Sequence, residues 1–295
     1  LAYNLAAENF DDEAVNRVIL ATDGDFNVGI NDPEELKDFI AEKRDSGVFL
    51  SVLGFGQGNY NDHIMQELAQ NGNGVAAYID NLNEAQKLLV DEATSSLFPI
   101  AKDVKIQIEF NPKTVAEYRL IGYETRALNR EDFNNDKIDA GDIGAGHTVT
   151  AIYEITPVGS EARSIDELRY GEAVTAQEQS DFGGEYAFLK MRYKLPNEDT
   201  SKLITTPITA DNKPQYMTIT DNGYVCPELA GSLCQEIKFS TAVAAFGQLL
   251  KGGDYTGDYS YDDVLELAQD GKGADPYGYR AEFIKLVRLA KSLDK

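Results

Sequence analysis

RVILATDGDFNVG, Arg17 to Gly29, decides how the first third of the chain folds. The apolar run Val18-Ile19-Leu20-Ala21 ends on Thr22-Asp23-Gly24, the pattern of a buried strand reaching solvent. NRVILATD (16–23) is therefore read as a strand with two carboxylates, Asp23 and Asp25, at its carboxyl end. LAYNLAAENF, before it, reads as the end of a helix. DPEELKDFIAEKRDSG (32–47), after it, is a helix: Asp32 caps it, Pro33 opens it, acidic residues fill the first turn and Gly47 ends it. VFLSVLGFG (48–56) and VAAYID (75–80) are two more strands. Between and after them lie helices over 61–74, stopped by Gly72 or Gly74, and 81–98, capped by Asn81 or Asn83. Strand–helix alternation with near-continuous apolar strands predicts a parallel sheet covered on both faces, a partial doubly wound α/β unit.

Beyond Pro99 the period changes. DVKIQIEF (103–110), AEYRLIGYETR (116–126), HTVTAIYEITPV (147–158) and YAFLKMRYKL (186–195) alternate apolar and polar residues. LITTPIT (203–209) is read as an edge strand, because Pro207 has no N–H to give a central ladder. This predicts an antiparallel β-sandwich with a long polar insertion at 159–184. From about 228 the chain turns helical. FSTAVAAFGQLLKG (239–252), SYDDVLELAQDG (260–271) and DPYGYRAEFIKLVRLAKSL (275–293) have 3.6-type spacing, and Gly-rich stretches separate them. The expected organisation is 1–98, 99–227 and 228–295, with the last segment packing on the sandwich.

The formal net charge of −23 argues against nucleic acid and anionic membrane surfaces as partners, since both need clustered Lys and Arg. It suits divalent cations or a basic partner, and it is equally what solubility alone asks for. No apolar run is long enough to span a membrane. Cys226 and Cys234, in CPELAGSLC, cannot build a zinc site, which takes four ligands. A disulfide across eight residues and two free thiols both fit that spacing.

Other constellations favour plain structural readings. GFGQG (54–58) mimics a dinucleotide fingerprint, with Asp80 ending the next strand. The third glycine is missing, for position 59 is Asn, and a tight strand-to-helix turn accounts for the glycines. EDFNNDKIDAGD (131–142) echoes a calcium loop through Asp132, Asn134, Asp136, Asp139 and Asp142, yet lacks the required Gly and the closing Glu. An acidic turn region is the simpler reading. His63 and His147 come with no nucleophile or HExxH pattern, so no catalytic pair is visible and no enzyme activity is expected. Tyr277, Tyr279, Phe283 and Leu286 read as a helix-packing face. Arg280, Lys285, Arg288 and Lys291 read as a solvated face that suits the helix C-terminal dipole.

Taken together, NRVILATDGDFNVG, LGFGQGNYND, AKDVKIQIEFNP, DAGDIGAGHTVTAIYEI, AVAAFGQLL, SYDDVLELA and GYRAEFIKLVRLAKSL resemble bacterial proteins in which a von Willebrand factor type A domain precedes a C-terminal domain of uncharacterised role. The likeness extends over the whole chain and begins in the C-terminal half of the A domain. It implies a metal-ion-dependent adhesion site, of which only the Asp closing the fourth strand maps here, onto Asp23. The Asp-x-Ser-x-Ser and the later Thr have no counterpart. The resemblance therefore implies a protein-recognition module that depends on Mg²⁺ or another divalent cation in the complete molecule, with no tight metal binding by this chain alone. It also implies an unpaired edge along strand 16–23, to be met by the N-terminal half of the A domain or by another copy. A periplasmic or cell-envelope setting is implied, which favours a Cys226–Cys234 disulfide; a leader or lipid anchor upstream stays open. A structural or assembly protein of the cell envelope, with no metal dependence, is the rival expectation.

Overall fold

The computed structural model describes residues 1–23, 32–56, 61–91, 98–123, 127–138, 140–166, 182, 184–212, 218–220, 223–225 and 231–294. The chain divides into two compact units. One comprises Leu1–Ile106, Arg130–Thr148 and Met191–Ile204; the other comprises Gln107–Asn129, Val149–Lys190 and Thr205–Lys295.

The first unit opens with α1 (Ala2–Glu8), β1 (Arg17–Thr22), α2 (Pro33–Asp45), β2 (Phe49–Phe55), α3 (Asp62–Asn71), β3 (Ala76–Ile79) and α4 (Leu82–Gln86), which a π-type turn continues over Lys87–Asp91. The helix starts follow from their caps. The Asp32 carboxylate accepts from the N–H of Glu34 and Glu35, Asn61 from that of Ile64, and Asn81 from those of Asn83 and Glu84. Each cap satisfies donors that the helix itself cannot. The three strands form a parallel sheet in the order β1–β2–β3, with Val18 opposite Leu50, Leu20 opposite Val52 and Val52 opposite Ala76. These residues share one face, where they pack with Ile40, Met65, Leu68 and Ala69 of α2 and α3, and with Tyr3 of α1.

The opposite face starts with Arg17. Its guanidinium donates to the Ser51 hydroxyl at 2.7 Å and lies 5.6 Å from the centre of the Phe49 ring. The same buried hydroxyl accepts from the N–H of Val75. Burial pulls the Arg17 pKa down from its ordinary value, and the charge of Asp142 works against that shift. Farther along this face Ile19 is 53 % exposed. β1 is the outermost strand of its sheet, so a buried-type sequence occupies an edge position.

The antiparallel part supplies β4 (Pro99–Phe110), β5 (Val115–Ile121), β6 (Gly141–Gly144), β7 (Ile152–Pro157), β8 (Glu185–Lys194), β9 (Lys202–Thr209), β10 (Thr218–Thr220) and β11 (Gly223–Val225). Strands β6–β4–β8–β9 make one sheet, β5–β7 a second and β10–β11 a third. β9, which carries Pro207, lies at a sheet edge as its sequence predicts. β4 departs from a simple alternation. Its register against β6 shifts between Ala101 and Val104, and Asp103 adopts a left-handed φ of 52°. Asp103 and Lys105 are buried, whereas Ile100 and Ile106 are exposed. A bulge of this kind re-aims the side chains that follow it.

In the second unit β5 and β7 pair antiparallel, with Tyr118 opposite Ile155 and Arg119 opposite Glu154. Arg119 gathers this part together. It donates to the Glu154 carboxylate and, at 2.7 Å, to the Gln248 side-chain oxygen, and its guanidinium lies 4.6 Å from the centre of the Tyr255 ring. Gln248 belongs to α5 (Gly231–Leu250), which is followed by α6 (Tyr261–Asp270) and α7 (Tyr279–Leu293). The three helices enclose Ala242, Val264, Ala268, Ile284 and Val287. Phe283 meets Phe239 and Phe246 edge-on at 5.2 and 5.4 Å. Ser260 and Asp263 form a reciprocal capping box at the start of α6. Of the expected packing face on α7, Phe283 is in the core while Tyr277 and Leu286 are exposed. The inward arc is centred on Phe283, Ile284 and Val287, and Leu286 falls beyond its border.

The return from α3 to β3 passes directly over the backbone of β2. A Cβ added at Gly74 would stand 1.7 Å from the Leu50 carbonyl oxygen, and one at Gly72 would stand 2.6 Å from the Leu50 Cβ. Neither atom is a flexible side-chain tip that could move aside. Gly74→Ala is expected to lower stability by at least about 2 kcal/mol, the scale of overpacking a close-packed interior. Urea unfolding followed by circular dichroism checks this; an unchanged midpoint would contradict the close approach.

Candidate functional site

Parallel strands bring their carboxyl ends to one side, the usual place for ligands in sheets of this kind. In the first unit that side carries Asp23, which follows β1 directly and is exposed. Thr22 is in register with Gly54, and the chain then turns at Gly56, which has φ +86°. A Cβ built on Gly56 would lie 3.9 Å from that of Asp23, so the two loops run side by side. The Tyr78 hydroxyl donates to the Gly56 carbonyl and fixes this turn from β3. Asp80, after β3, accepts from the Asn81 side chain at 2.8 Å. Gly24, Asp25 and Gly58 lie outside the described residues. The turn reading of the glycines therefore rests here on Gly56.

A hard cation takes about six oxygens. Among the described residues no group of three or more His, Cys, Asp or Glu side chains converges, and Asp23 is the carboxylate that the end of β1 offers. His63 lies 3.4 Å from Glu67 one helical turn on, and His147 directs its backbone N–H to the Gly144 carbonyl.

A second constellation lies in the first unit, where the acidic stretch 131–142 meets β4 and the ends of β8 and β9. The Lys105 side chain is 1 % exposed. Its ammonium donates to the Asn135 carbonyl at 2.6 Å and stands 3.3 Å from the Asp103 carboxylate. Lys194 approaches the same carboxylate at 2.9 Å and donates to the Asp136 carbonyl at 2.7 Å. The backbone N–H of Asp103 donates to Asp142 at 3.1 Å. Arg192 donates to the Asn134 side chain at 3.0 Å and to the Ser201 hydroxyl, and lies 3.5 Å from Asp136. The hydrogen bond from the Ser201 hydroxyl, then that from the Ser201 N–H, then Arg192 and Lys194 hold the Asp136 carboxyl below its ordinary range. Asn134, Asp136 and Asp142, three of the oxygens that a calcium loop would use, thus already have protein donors. Asp139 lies outside the described residues. The arrangement is a charge clamp: two ammonium groups and a guanidinium fasten an acidic loop to the sheet. Sequence pattern missed it, because Asp103 and Lys105 stand where an alternating strand turns to solvent.

Cys234 is buried and disulfide-bonded; the other cysteine of the sequence, Cys226, lies outside the described residues. Among the described residues no helix is long and apolar enough to cross a membrane.

The class defined so far is a mixed α/β protein: a three-stranded parallel sheet, antiparallel sheets and C-terminal helices. The chain belongs to the family described as "Uncharacterized protein YfbK, C-terminal", whose model matches residues 95–293. It is 46 % identical over 291 residues to the uncharacterized protein YfbK of Escherichia coli strain K12. That match covers 98 % of this chain and 47 % of the relative, so the chain spans about half the relative's length.

Two predictions follow from the clamp. Lys105→Ala leaves the buried Asp103 carboxylate with the Lys194 ammonium as its remaining cation of this pair and opens a cavity, and is expected to destabilise by about 3 kcal/mol, more than Lys105→Met, which keeps the side-chain volume. Chemical denaturation of both variants checks the ordering. The folded Asp136 carboxyl titrates below its unfolded value, so its contribution is present above the ordinary carboxylate range and disappears as pH falls through the folded value. The gap in melting temperature between the native protein and Asp136→Asn is therefore expected at pH 7 and should close in acid.

Proposed function

We propose that the complete molecule recognises another protein through a von Willebrand factor A-type domain whose divalent-cation site includes Asp23. The observation that carries this reading is the exposed carboxylate at the carboxyl end of β1, beside the Gly56 turn of a parallel sheet. The position of β1 supports it further. β1 is the outermost strand, Ile19 is half exposed, and the relative has as much polypeptide again outside the match. In this reading the remaining cation ligands and the strand that flanks β1 come from the N-terminal half of the A domain. A second copy paired along 16–23 would satisfy the same edge. The antiparallel sheets, in this reading a β-sandwich, and the terminal helices carry the domain.

The disulfide at Cys234 favours an oxidising setting, hence the periplasm or cell envelope. That observation serves equally an assembly protein of the cell envelope with no metal dependence.

The test is retention of a partner by the complete polypeptide, with Mg²⁺ and with chelator, for the native sequence and for Asp23→Ala. Loss in chelator and in the variant is expected. Retention in both would overturn the adhesion reading and leave the assembly reading standing. For the present chain alone, calorimetric titration with Mg²⁺ or Mn²⁺ is expected to reveal no micromolar site; a micromolar site would mean that Asp23 has its co-ligands within this segment.

A further inference from the structure

We propose that Tyr78 is a positioning residue for the Asp23 carboxylate, acting through the Gly56 turn. The inference rests on the cation-site reading of Asp23 and adds a residue to it. Thr22, Gly54 and Tyr78 form one row across the carboxyl end of the parallel sheet, since Thr22 pairs with Gly54 and Gly54 with Tyr78. The middle position of that row has no side chain, so β2 offers the tyrosine ring no obstruction at that level. The Tyr78 hydroxyl donates to the carbonyl of Gly56, two residues farther along. Gly56 has a left-handed φ of +86°. Glycine takes up positive and negative φ about equally readily, so its own backbone preference does not keep the turn in this form. A hydrogen bond from β3, which is itself held in the sheet, does. Asp23 stands on the other side of the turn. A Cβ on Gly56 would be at ordinary van der Waals distance, 3.9 Å, from the Asp23 Cβ. The turn is therefore a wall beside the stem of the carboxylate.

The consequence is chemical. Asp23 is exposed and follows β1 directly. A small hard cation demands near-ideal octahedral geometry, and a carboxylate that swings among rotamers meets that demand only part of the time. Groups that orient a ligand without touching the metal change metal affinity by about 10–100-fold when removed. The competing role for Tyr78 is to satisfy its own hydroxyl and steady the sheet. Two features favour positioning. The acceptor lies beyond the end of β2 (Phe49–Phe55), so the bond adds nothing to strand pairing. It also falls on a glycine, the residue whose backbone restrains itself least.

The test uses the complete polypeptide and Mn²⁺ alone as the probe, with free Mn²⁺ measured by electron paramagnetic resonance. The native polypeptide is expected to bind Mn²⁺ and Asp23→Ala to lose it. Tyr78→Phe, which removes only the hydroxyl, should weaken Mn²⁺ binding at least about fivefold and leave the metal-free melting temperature unchanged. Gly56→Ala strains the same turn and should weaken binding as well. The double variant should fall no more than about twofold below the weaker single variant, because both changes act through one turn. Native affinity in Tyr78→Phe would overturn the inference and leave the cation-site reading in place. So would a loss of affinity that comes with a lower melting temperature, or losses that add fully in the double variant. No Mn²⁺ binding by the native polypeptide, or binding indifferent to Asp23→Ala, would overturn the cation-site reading itself and this inference with it.

Discussion

The carboxylate of Asp103, held between the ammonium groups of Lys105 and Lys194, is the constraint on which the first unit turns. Both ammonium groups face it, and each finds a further acceptor in a loop carbonyl, Asn135 or Asp136. Hydrogen bonds of this sort are what make a buried ion pair tolerable, because Coulomb attraction alone does not offset desolvation. The same contacts fix register. Side chains alternate along a strand, so sliding β4 by one residue would turn Lys105 outward and bring a hydrophobic neighbour under the acidic loop. The bulge at Asp103 and its left-handed backbone are the local means by which a strand of mostly apolar residues presents two charges to the interior.

The clamp extends to the parallel sheet. Asp142 accepts from the Asp103 backbone and also acts on Arg17, whose guanidinium is anchored on Ser51 of β2. Compactness accordingly gathers residues 130–148 and 191–204 with residues 1–106. Arg17 sits at the amino end of β1 and Asp23 just past its carboxyl end, so the strand that carries the candidate ligand is fastened at its far end. Among the described residues β1 lies at the edge of its sheet with Ile19 half exposed, and the Arg17–Ser51 contact reinforces its pairing with β2.

What could be read in the sequence follows from how local each signal is. Parallel strands announce themselves as unbroken apolar runs, and Asp32 and Asn61 cap helices through bonds to residues only two or three positions on; these features were legible. Pro207 marked an edge for the equally local reason that it has no N–H. The charge clamp was not legible, since Asp103 and Lys105 look like the solvent side of an alternating strand until residues 134–136 and 194 arrive from elsewhere in the chain. Leu286 misled for a related reason. Helical periodicity identifies apolar positions but not which of two apolar arcs will find a core, and on α7 the arc of Phe283 and Val287 found it.

The family match begins at residue 95, whereas Asp23 and the parallel sheet precede it, and the alignment to the Escherichia coli relative runs across both. The segment that defines the family therefore contains β4, the acidic loop and the helices, but not the anchor Arg17 or its serine. A segment bounded in that way would lack the guanidinium on which the charge of Asp142 acts. Ion networks of this kind are held cooperatively, each charge keeping its neighbour worth burying. The physical unit is accordingly larger than the matched segment: it takes in β1, and with β1 the carboxylate at its end.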